Sequence, residues 1–264
     1  MSGRDKRLRW TFSSDDLDRE DESSPEASAP GRSTRLITAD DLDVVLQPIV
    51  DLRDGRLFAA EALVRCRWPE YASPVALFAQ AEKERACGRL GRPIREVAIA
   101  RAAGMPLFLN IHPEELSSRW LVRPDDPLSF HEGELFLEIT ESAAFEYFDL
   151  CRSVLKEVCT RTSAHLVVDD LGAGHSNLKR VLDLEPAIVK LDRELVKDLD
   201  KSHRQRVLVR SVTALCKDLG ARVVCEGIET LDELKAVRDA GADFGQGYLL
   251  ARPGYPMPRP VWPL

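Results

Sequence analysis

The sequence predicts an α/β fold, a single TIM-type (β/α)₈ barrel in which strands alternate with helices. Eight short apolar runs follow one another between residues 44 and 247, and most are separated by segments with helical periodicity. Polar side chains end nearly every run, as expected where the strands of such a barrel reach one rim. A doubly wound open sheet is the alternative arrangement of the same elements.

The strands are predicted from runs rich in Val, Ile, Leu and Phe that are too short for helices. In chain order the candidates are VVLQPIV (44–50), LFAAEALVRC (57–66), LFLNI (107–111), LFLEIT (135–140), HLVVDD (165–170), AIVKLD (187–192), RVVCEG (222–227) and ADFGQG (242–247).

The helices are predicted from apolar residues at i, i+3 and i+4 together with capping residues. In chain order the signals are Ser73-Pro74 as N-cap and first-turn proline, Pro113 as the start of a short helix, residues 206–219 ended by Gly220, and a Thr230 and Glu233 capping box before a helix that Gly241 ends.

The N-terminal segment differs from the rest of the chain. Residues 1–38 form an acidic stretch rich in Ser and Pro that has almost nothing to bury, so we expect a disordered tail there. The barrel is assigned to residues 39–264. Leu8, Trp10 and Phe12 are the candidate anchors if the tail instead docks on another protein.

The composition excludes several classes of protein. A net charge of −7 argues against binding to a nucleic-acid polymer or an anionic membrane, and no run approaches the ~18 apolar residues of a membrane span. The six cysteines lack CxxC spacing, so we expect reduced core residues of a cytoplasmic protein, not disulfides or a zinc site. They are Cys66, Cys87, Cys151, Cys159, Cys216 and Cys225.

The polar residues that end the strands are expected to meet on one rim of the barrel. A single such residue is most often a surface group, but here nearly every strand supplies one. In barrel enzymes the catalytic groups come from several strand ends on the same face. The residues are Glu61, Arg65, Asn110, Glu138, Asp169, Asp170, Lys190, Glu226 and Gln246.

Five of these residues are carboxylates, and only Lys190 and Arg65 are cations. Hard divalent ions, Mg²⁺ or Mn²⁺, neutralise such a set through carboxylate and amide oxygens, whereas a set without His or Cys argues against zinc. Asp169 and Asp170 are adjacent, which suits two ions with one bridging carboxylate. Two ions of this kind stabilise both oxygens of a phosphoryl displacement.

The glycines after these aspartates admit another interpretation. Gly172 and Gly174 superficially resemble the start of a GxGxxG dinucleotide motif, but Asn177 stands at the third glycine position. We favour a mobile loop beside the metals.

An ordered series of motifs extends over about residues 44–253. The motifs are QPI (47–49), EALVR (61–65), LNIHP (109–113), LEITE (137–141), DDLGAGHSN (169–177), VKLD (189–192), EGIE (226–229) and GQGYLLARP (245–253). This series resembles the EAL family of bacterial cyclic di-GMP phosphodiesterases. The resemblance implies a modified barrel with an antiparallel first strand, and hydrolysis of cyclic di-GMP to linear pGpG with Mg²⁺ or Mn²⁺.

The resemblance also implies a role for each site residue. The first metal would be held by Glu61, Asn110, Glu138 and Asp169, and the second metal with its water by Asp169, Asp170 and Glu226. The catalytic residues would be Lys190, holding the nucleophilic water, Glu226, a candidate base, and Glu61. The substrate contacts would be Gln47, Arg65, Asp170 and Gln246. Glu141 would anchor the loop after the aspartates, and Glu229 and Gln246 would support the site.

The loop after Asp170 departs from the family pattern, Phe-Gly-Thr-Gly-Tyr-Ser-Ser. The departures are Leu171, Ala173, His175 and Asn177. In the family this loop links the metals to the dimer interface, so the departures bear on turnover and on the homodimer that the resemblance implies. Residues 1–38 are the candidate contact for a regulatory protein.

Three functions remain open on the sequence. The first is an active metal-dependent phosphodiesterase. The second, suggested by the altered loop, is a weakly active or inactive domain that acts as a cyclic di-GMP receptor or a protein-interaction module. The third is another metal-dependent barrel enzyme that acts on a phosphate or an enolate.

Overall fold

Eight strands close into one barrel in chain order, in a computed structural model that describes residues 31–117, 121–172, 181 and 183–264. The strands are β1 (Leu42–Asp51), β2 (Leu57–Cys66), β3 (Leu107–Asn110), β4 (Leu135–Thr140), β5 (His165–Leu171), β6 (Ile188–Leu191), β7 (Arg222–Cys225) and β8 (Phe244–Gly245). β1 pairs antiparallel with both β2 and β8, and every other neighbouring pair is parallel. The barrel and its antiparallel first strand are therefore confirmed, and the open sheet is excluded.

Helices cover the outside of the barrel. They are α1 (Pro74–Lys83), α2 (Cys87–Ala102), α3 (Pro113–Ser117), α4 (Glu141–Glu146), α5 (Phe148–Leu150), α6 (Lys156–Thr162), α7 (Arg193–Val196), α8 (His203–Asp218) and α9 (Leu231–Asp239). A π-helical stretch at Cys151–Leu155 joins α5 to α6, and 3₁₀ turns occur at Thr34–Leu36, Ala39–Asp41, Pro69–Tyr71 and Pro127–Phe130.

The capping residues fix most of the predicted helix boundaries. α1 begins at Pro74 as predicted, and Thr230 with Glu233 forms the predicted capping box of α9. α8 begins at His203, three residues before the predicted start, because Ser202 caps it by accepting a hydrogen bond from the Gln205 amide. The first turn of α8 is polar and has no apolar periodicity, so the prediction from apolar spacing placed the start of the helix too far along the chain.

An apolar floor and a polar rim layer lie one above the other inside the barrel. The floor takes one buried residue from each strand: Ile49, Ala59, Phe108, Phe136, Val167, Ile188, Val224 and Phe244. Side chains alternate along a strand, so the residue two positions nearer the rim faces the same interior. On every strand that residue is polar. This rim layer consists of Gln47, Glu61, Asn110, Glu138, Asp169, Lys190, Glu226 and Gln246.

A buried ion cluster joins α2 to the segment that follows β3. The Arg95 guanidinium is 1% exposed and binds Asp126 through two hydrogen bonds, Nε to Oδ1 at 3.1 Å and Nη2 to Oδ2 at 2.7 Å. Its Nη1 contacts Glu115, whose other oxygen accepts a hydrogen bond from the His112 amide at 3.0 Å. The cluster therefore fixes the backbone just beyond Asn110.

The segment before β1 packs against α1. Ile37 is buried, and the Ser33 and Thr34 hydroxyls donate to Glu84 Oε2 at 2.8 and 2.7 Å. Residues 31–38 thus contact the barrel, whereas the remainder of the predicted disordered tail lies outside the described residues.

Replacing Glu84 by Gln should weaken this packing in a pH-dependent way. Burial alone would raise the pKa of Glu84, but hydrogen bonds from Gln80, Thr34 and Ser33 lower it from 4.5 to about 2. A lowered carboxyl pKa adds stability above the unfolded-state pKa, and that stability is lost as the pH falls through the folded-state pKa. At neutral pH we expect Glu84→Gln to lower the free energy of unfolding by about 1 kcal/mol, allowing for partial exposure.

Urea denaturation at pH steps from about 7 to about 3 measures this difference. The gap between wild type and Glu84→Gln should narrow as the pH falls. Glu132→Gln, at an exposed position, is the control. A gap that stays constant with pH would contradict the role given to the Glu84 charge.

Among the described residues, no helix is both long enough and apolar enough to cross a lipid bilayer.

Candidate active site

The residues of the rim layer converge on a lysine. The Lys190 ammonium is 1% exposed and lies within ion-pair distance of four carboxylates from four other strands or their ends. Its Nζ is 2.6 Å from Glu226 Oε1, 2.8 Å from Glu138 Oε1, 3.2 Å from Asp169 Oδ1 and 3.4 Å from Glu61 Oε2. The predicted gathering of distant acids on one rim is thus what the fold produces.

One lysine does not balance the negative charge around it. Asp170 is buried beside the four acids, so full ionisation would leave five carboxylates against one ammonium. Burial raises the pKa of Glu138, Asp170 and Glu226 well above the usual range, and nearby acids raise it further. Burial alone would lower the pKa of Lys190, but Asp169, Glu138, Glu226 and Glu61 raise it well above the usual value. Within the described part of the chain, the buried site is therefore short of positive charge.

A break in β5 lets two consecutive aspartates face the site. Regular alternation would send Asp169 and Asp170 to opposite faces of the strand. The register with β6 shifts between Val168 and Leu171, and Asp170 adopts a left-handed backbone with φ +59°. Asp tolerates this conformation better than most residues, though at a cost in strain. As a result the carboxylates of both aspartates come within reach of Glu226.

The carboxylate oxygens fit divalent cations. Glu61, Glu138 and Asp169 each offer one oxygen, and these three atoms all lie within 4.8 Å of one another; Asp169, Asp170 and Glu226 form a second such group. Asp169 belongs to both groups, as a bridging ligand would. Among the described residues, Glu138 Oε2 is buried without a hydrogen-bond donor. An all-oxygen donor set with an unsatisfied buried oxygen suits a hard cation.

The side-chain amides of Gln246 and Asn110 orient Glu61, and Gln47 supports Gln246. Gln246 Nε2 donates to Glu61 Oε2 at 2.7 Å and to Gln47 Oε1 at 2.8 Å. Gln47 is fully buried and donates to the Ala251 carbonyl at 3.2 Å. Asn110 Nδ2 donates to the other oxygen of Glu61 at 3.3 Å. Both oxygens of Glu61 are thus oriented by amides, and Gln47 acts through Gln246.

The next residue, Gly247, allows this arrangement. Its φ is +154°, and a Cβ there would lie 2.2 Å from the Ile228 amide nitrogen. A turn closed by a hydrogen bond from the Leu250 amide to the Gly247 carbonyl at 3.0 Å follows directly after Gln246.

The remaining predicted site residues lie around the rim layer. Arg65 is half-buried on the same face of β2 as Glu61, and its Nη1 donates to the Val64 carbonyl at 2.8 Å. Glu141 is buried and its Oε2 accepts a hydrogen bond from the Gly172 amide at 3.3 Å, at the start of the loop after the aspartates. Residues 173–180 of that loop, with the departures Ala173, His175 and Asn177, lie outside the described residues.

Glu229 stands apart from the acids of the rim layer. Its side chain is 40% exposed and pairs with Arg193 at 2.9 Å. The structure thus places it beside α7, and its supporting role stays a prediction. Sequence reasoning missed Asp192, the last residue of VKLD, which is buried and caps α7 through the Glu194 amide at 2.7 Å. An Asp directly before a helical segment is the signal that could have identified this cap.

Comparison with known proteins agrees with this geometry. The EAL domain family model matches residues 32–253. The chain belongs to the EAL domain family. The match covers all eight strands and every residue of the rim layer.

Several relatives of this EAL domain are named cyclic di-GMP phosphodiesterases. The cyclic di-GMP phosphodiesterase PdeR of Escherichia coli is 30% identical over 232 residues, which are 83% of this chain and 35% of PdeR. The cyclic di-GMP phosphodiesterase RocR of Pseudomonas aeruginosa is 30% identical over 238 residues, which are 81% of this chain and 57% of RocR. The chain spans less than two thirds of the length of these curated relatives.

A solved structure shares the fold at similar identity. The manganese and cyclic di-GMP complex of BlrP1 from Klebsiella pneumoniae is 32% identical, with a TM-score of 0.69. The match covers 81% of this chain and 56% of that chain.

Proposed function

We propose that this EAL domain hydrolyses cyclic di-GMP to linear pGpG with two Mg²⁺ or Mn²⁺ ions. The proposal is carried by two buried sets of three carboxylate residues, which have Asp169 in common. The names of PdeR and RocR and the manganese and cyclic di-GMP complex of BlrP1 support the substrate and the need for a divalent ion.

The protein's own residues would hold these ions in two places. Glu61, Asn110, Glu138 and Asp169 would hold one ion. Asp169, Asp170 and Glu226 would hold the other. Bound divalent ions of this kind lower the pKa of a water molecule and offset charge on phosphoryl oxygens.

Lys190 and Glu226 supply the proton chemistry in this proposal. The ammonium of Lys190 contacts Glu226 at 2.6 Å, so both groups face the same small volume. Lys190 donates a hydrogen bond to the attacking water and orients it. Glu226 accepts the proton that this water loses as its oxygen bonds to phosphorus. The bond from phosphorus to the ribose oxygen breaks, that oxygen takes up a proton from solvent, and Glu226 releases the proton it accepted to solvent.

Arg65 would neutralise charge on the substrate. It lies four residues beyond Glu61 on the same face of β2, towards the open end of the barrel. A guanidinium in this position donates charge-assisted hydrogen bonds to a phosphate oxygen.

A direct assay tests the proposed function. Purified protein is incubated with cyclic di-GMP and Mg²⁺ or Mn²⁺, and linear pGpG is followed by chromatography, with EDTA as the metal-free control. We expect metal-dependent formation of pGpG. Tight binding of cyclic di-GMP by calorimetry without turnover would favour the receptor function instead. Turnover of other phosphate esters with none of cyclic di-GMP would favour a different barrel enzyme.

We also propose a homodimer formed through the barrel and a regulatory contact made by residues 1–38. The homodimer rests on the family resemblance, and the regulatory contact rests on the candidate anchors Leu8, Trp10 and Phe12. Light scattering coupled to size-exclusion chromatography measures the first, and a monomer at all concentrations would overturn it.

A further inference from the structure

A second cluster of metal-binding side chains lies beside α1, α2 and α3, away from the rim layer. Cys87, His112 and Glu114 each offer one ligand atom, and these three atoms lie within 4.8 Å of one another. Glu82 adds a carboxylate, with its Oε1 3.5 Å from His112 Nε2. The donors come from three helices and the loop after β3, so their convergence is a product of the tertiary fold.

The surroundings of this cluster favour a cation. Cys87 is fully buried and His112 is 6% exposed. Burial raises the pKa of the Cys87 thiol well above its usual value, and Glu114, Glu82 and Glu115 raise it further. Glu82 and Glu114 both lie beside His112, so negative charge surrounds the cluster.

The chemistry of the donors differs from that of the rim layer. A thiolate, an imidazole and carboxylates select Zn²⁺ and related thiophilic ions, whereas the all-oxygen rim layer suits harder ions. The His112 ring stacks on Phe78, with ring planes 4° apart, and its Nδ1 accepts a hydrogen bond from the Glu114 amide at 3.1 Å. Because a neutral imidazole has one lone pair, coordination through Nε2 would move the ring proton to Nδ1 and break this hydrogen bond. Glu82, which lies beside Nε2, would then complete the coordination.

We propose that Cys87, His112 and Glu114, assisted by Glu82, form a binding site for a thiophilic divalent cation such as Zn²⁺. Binding exchanges the thiol proton of Cys87 for a metal–sulfur bond, and that proton passes to solvent. The ion would tie α1 and α2 to the loop after β3. His112 lies two residues beyond Asn110, so the ion would also stiffen the backbone that carries one rim-layer residue.

Cobalt absorption tests this site without reference to activity. Untagged full-length protein is stripped with EDTA, desalted into excess Mg²⁺ to saturate oxygen-only sites, and titrated with Co²⁺. We expect a near-ultraviolet thiolate-to-cobalt charge-transfer band at one equivalent, which Zn²⁺ abolishes by displacement. Cys87→Ser should lose the band. Cys159→Ser, at a half-buried cysteine of α6, should keep it.

A second variant tests the site independently, in case Cys87→Ser fails to fold. Glu114 is only partly buried, so Glu114→Gln should retain the wild-type circular dichroism. We expect it to weaken the apparent Co²⁺ affinity by about 10-fold or more. Absence of the band in wild type, its persistence in Cys87→Ser, or an unchanged affinity in Glu114→Gln would overturn the proposal.

Discussion

Replacing Glu61 by Gln is expected to lower kcat/KM for cyclic di-GMP by about 10³-fold or more, which corresponds to about 4 kcal/mol of transition-state stabilisation. Glu61 forms one of the two proposed metal-binding sets, with Glu138 and Asp169. Its side chain also contacts Lys190, Asn110 and Gln246. Gln keeps the shape of Glu but removes the charge, so the effect measures the loss of a charged ligand. Initial rates of pGpG formation in saturating Mn²⁺ provide the measurement.

Glu134→Gln is the matched control for this substitution. Glu134 directly precedes β4 at the opposite end of the barrel, and its side chain is 59% exposed. We expect wild-type rates from this variant. Calorimetry with Mn²⁺ adds a second readout, because Glu61→Gln should also weaken metal binding. Wild-type turnover by Glu61→Gln would refute the role of Glu61 in the proposed reaction.

Replacing Arg95 by Leu is expected to lower the free energy of unfolding by about 3–5 kcal/mol. Glu115 and Asp126 are 2% and 0% exposed, and Arg95 is the cation that both contact. Burial raises the pKa of Glu115 even with Arg95 beside it. Without the guanidinium, Glu115 and Asp126 lose the cation that offsets their buried charge and keep their hydrogen bonds from backbone amides. Urea or guanidinium denaturation followed by circular dichroism measures the loss.

The pH dependence of this loss separates charge from packing. Because burial raises the pKa of Glu115 in the folded state, the variant becomes less stable as the pH rises, so its deficit should be larger at about pH 8 than at about pH 5. Arg53→Leu is the control, since Arg53 is 87% exposed and its pair with Asp51 is solvated. Equal effects of the two substitutions would show that the Arg95 cluster adds no specific stability.

The sequence predicted the barrel and most of the rim layer because both follow from alternation along strands. Glu138 in LFLEIT is a polar residue at a position where alternation along the strand points the side chain into the barrel. Such a residue can be recognised in the sequence without a structure. Alternation alone predicts that only one of Asp169 and Asp170 faces the interior. The register shift and the left-handed backbone that bring both there depend on contacts with β6, which no local pattern encodes.

Clusters of side chains that are distant in the chain could not be predicted from the sequence for a similar reason. Arg95 meets Glu115 and Asp126 from 20 and 31 residues away in the chain, with no spacing rule that links them. Cys87 was predicted to be a reduced core residue, and no short spacing of the kind that identifies cysteine and histidine ligands links it to His112. Only the packing of α2 against the segment after β3 brings these residues together.

The apolar floor closes the end of the barrel interior that lies opposite the rim layer. Stacked Phe108 and Phe136 rings, with centroids 4.4 Å apart, seal the far end with hydrocarbon that neither ions nor water can cross. The rim is therefore the polar approach to Glu138 and Lys190. If a nucleotide binds at the rim as proposed, it would cover this approach, so the cations would have to bind before it.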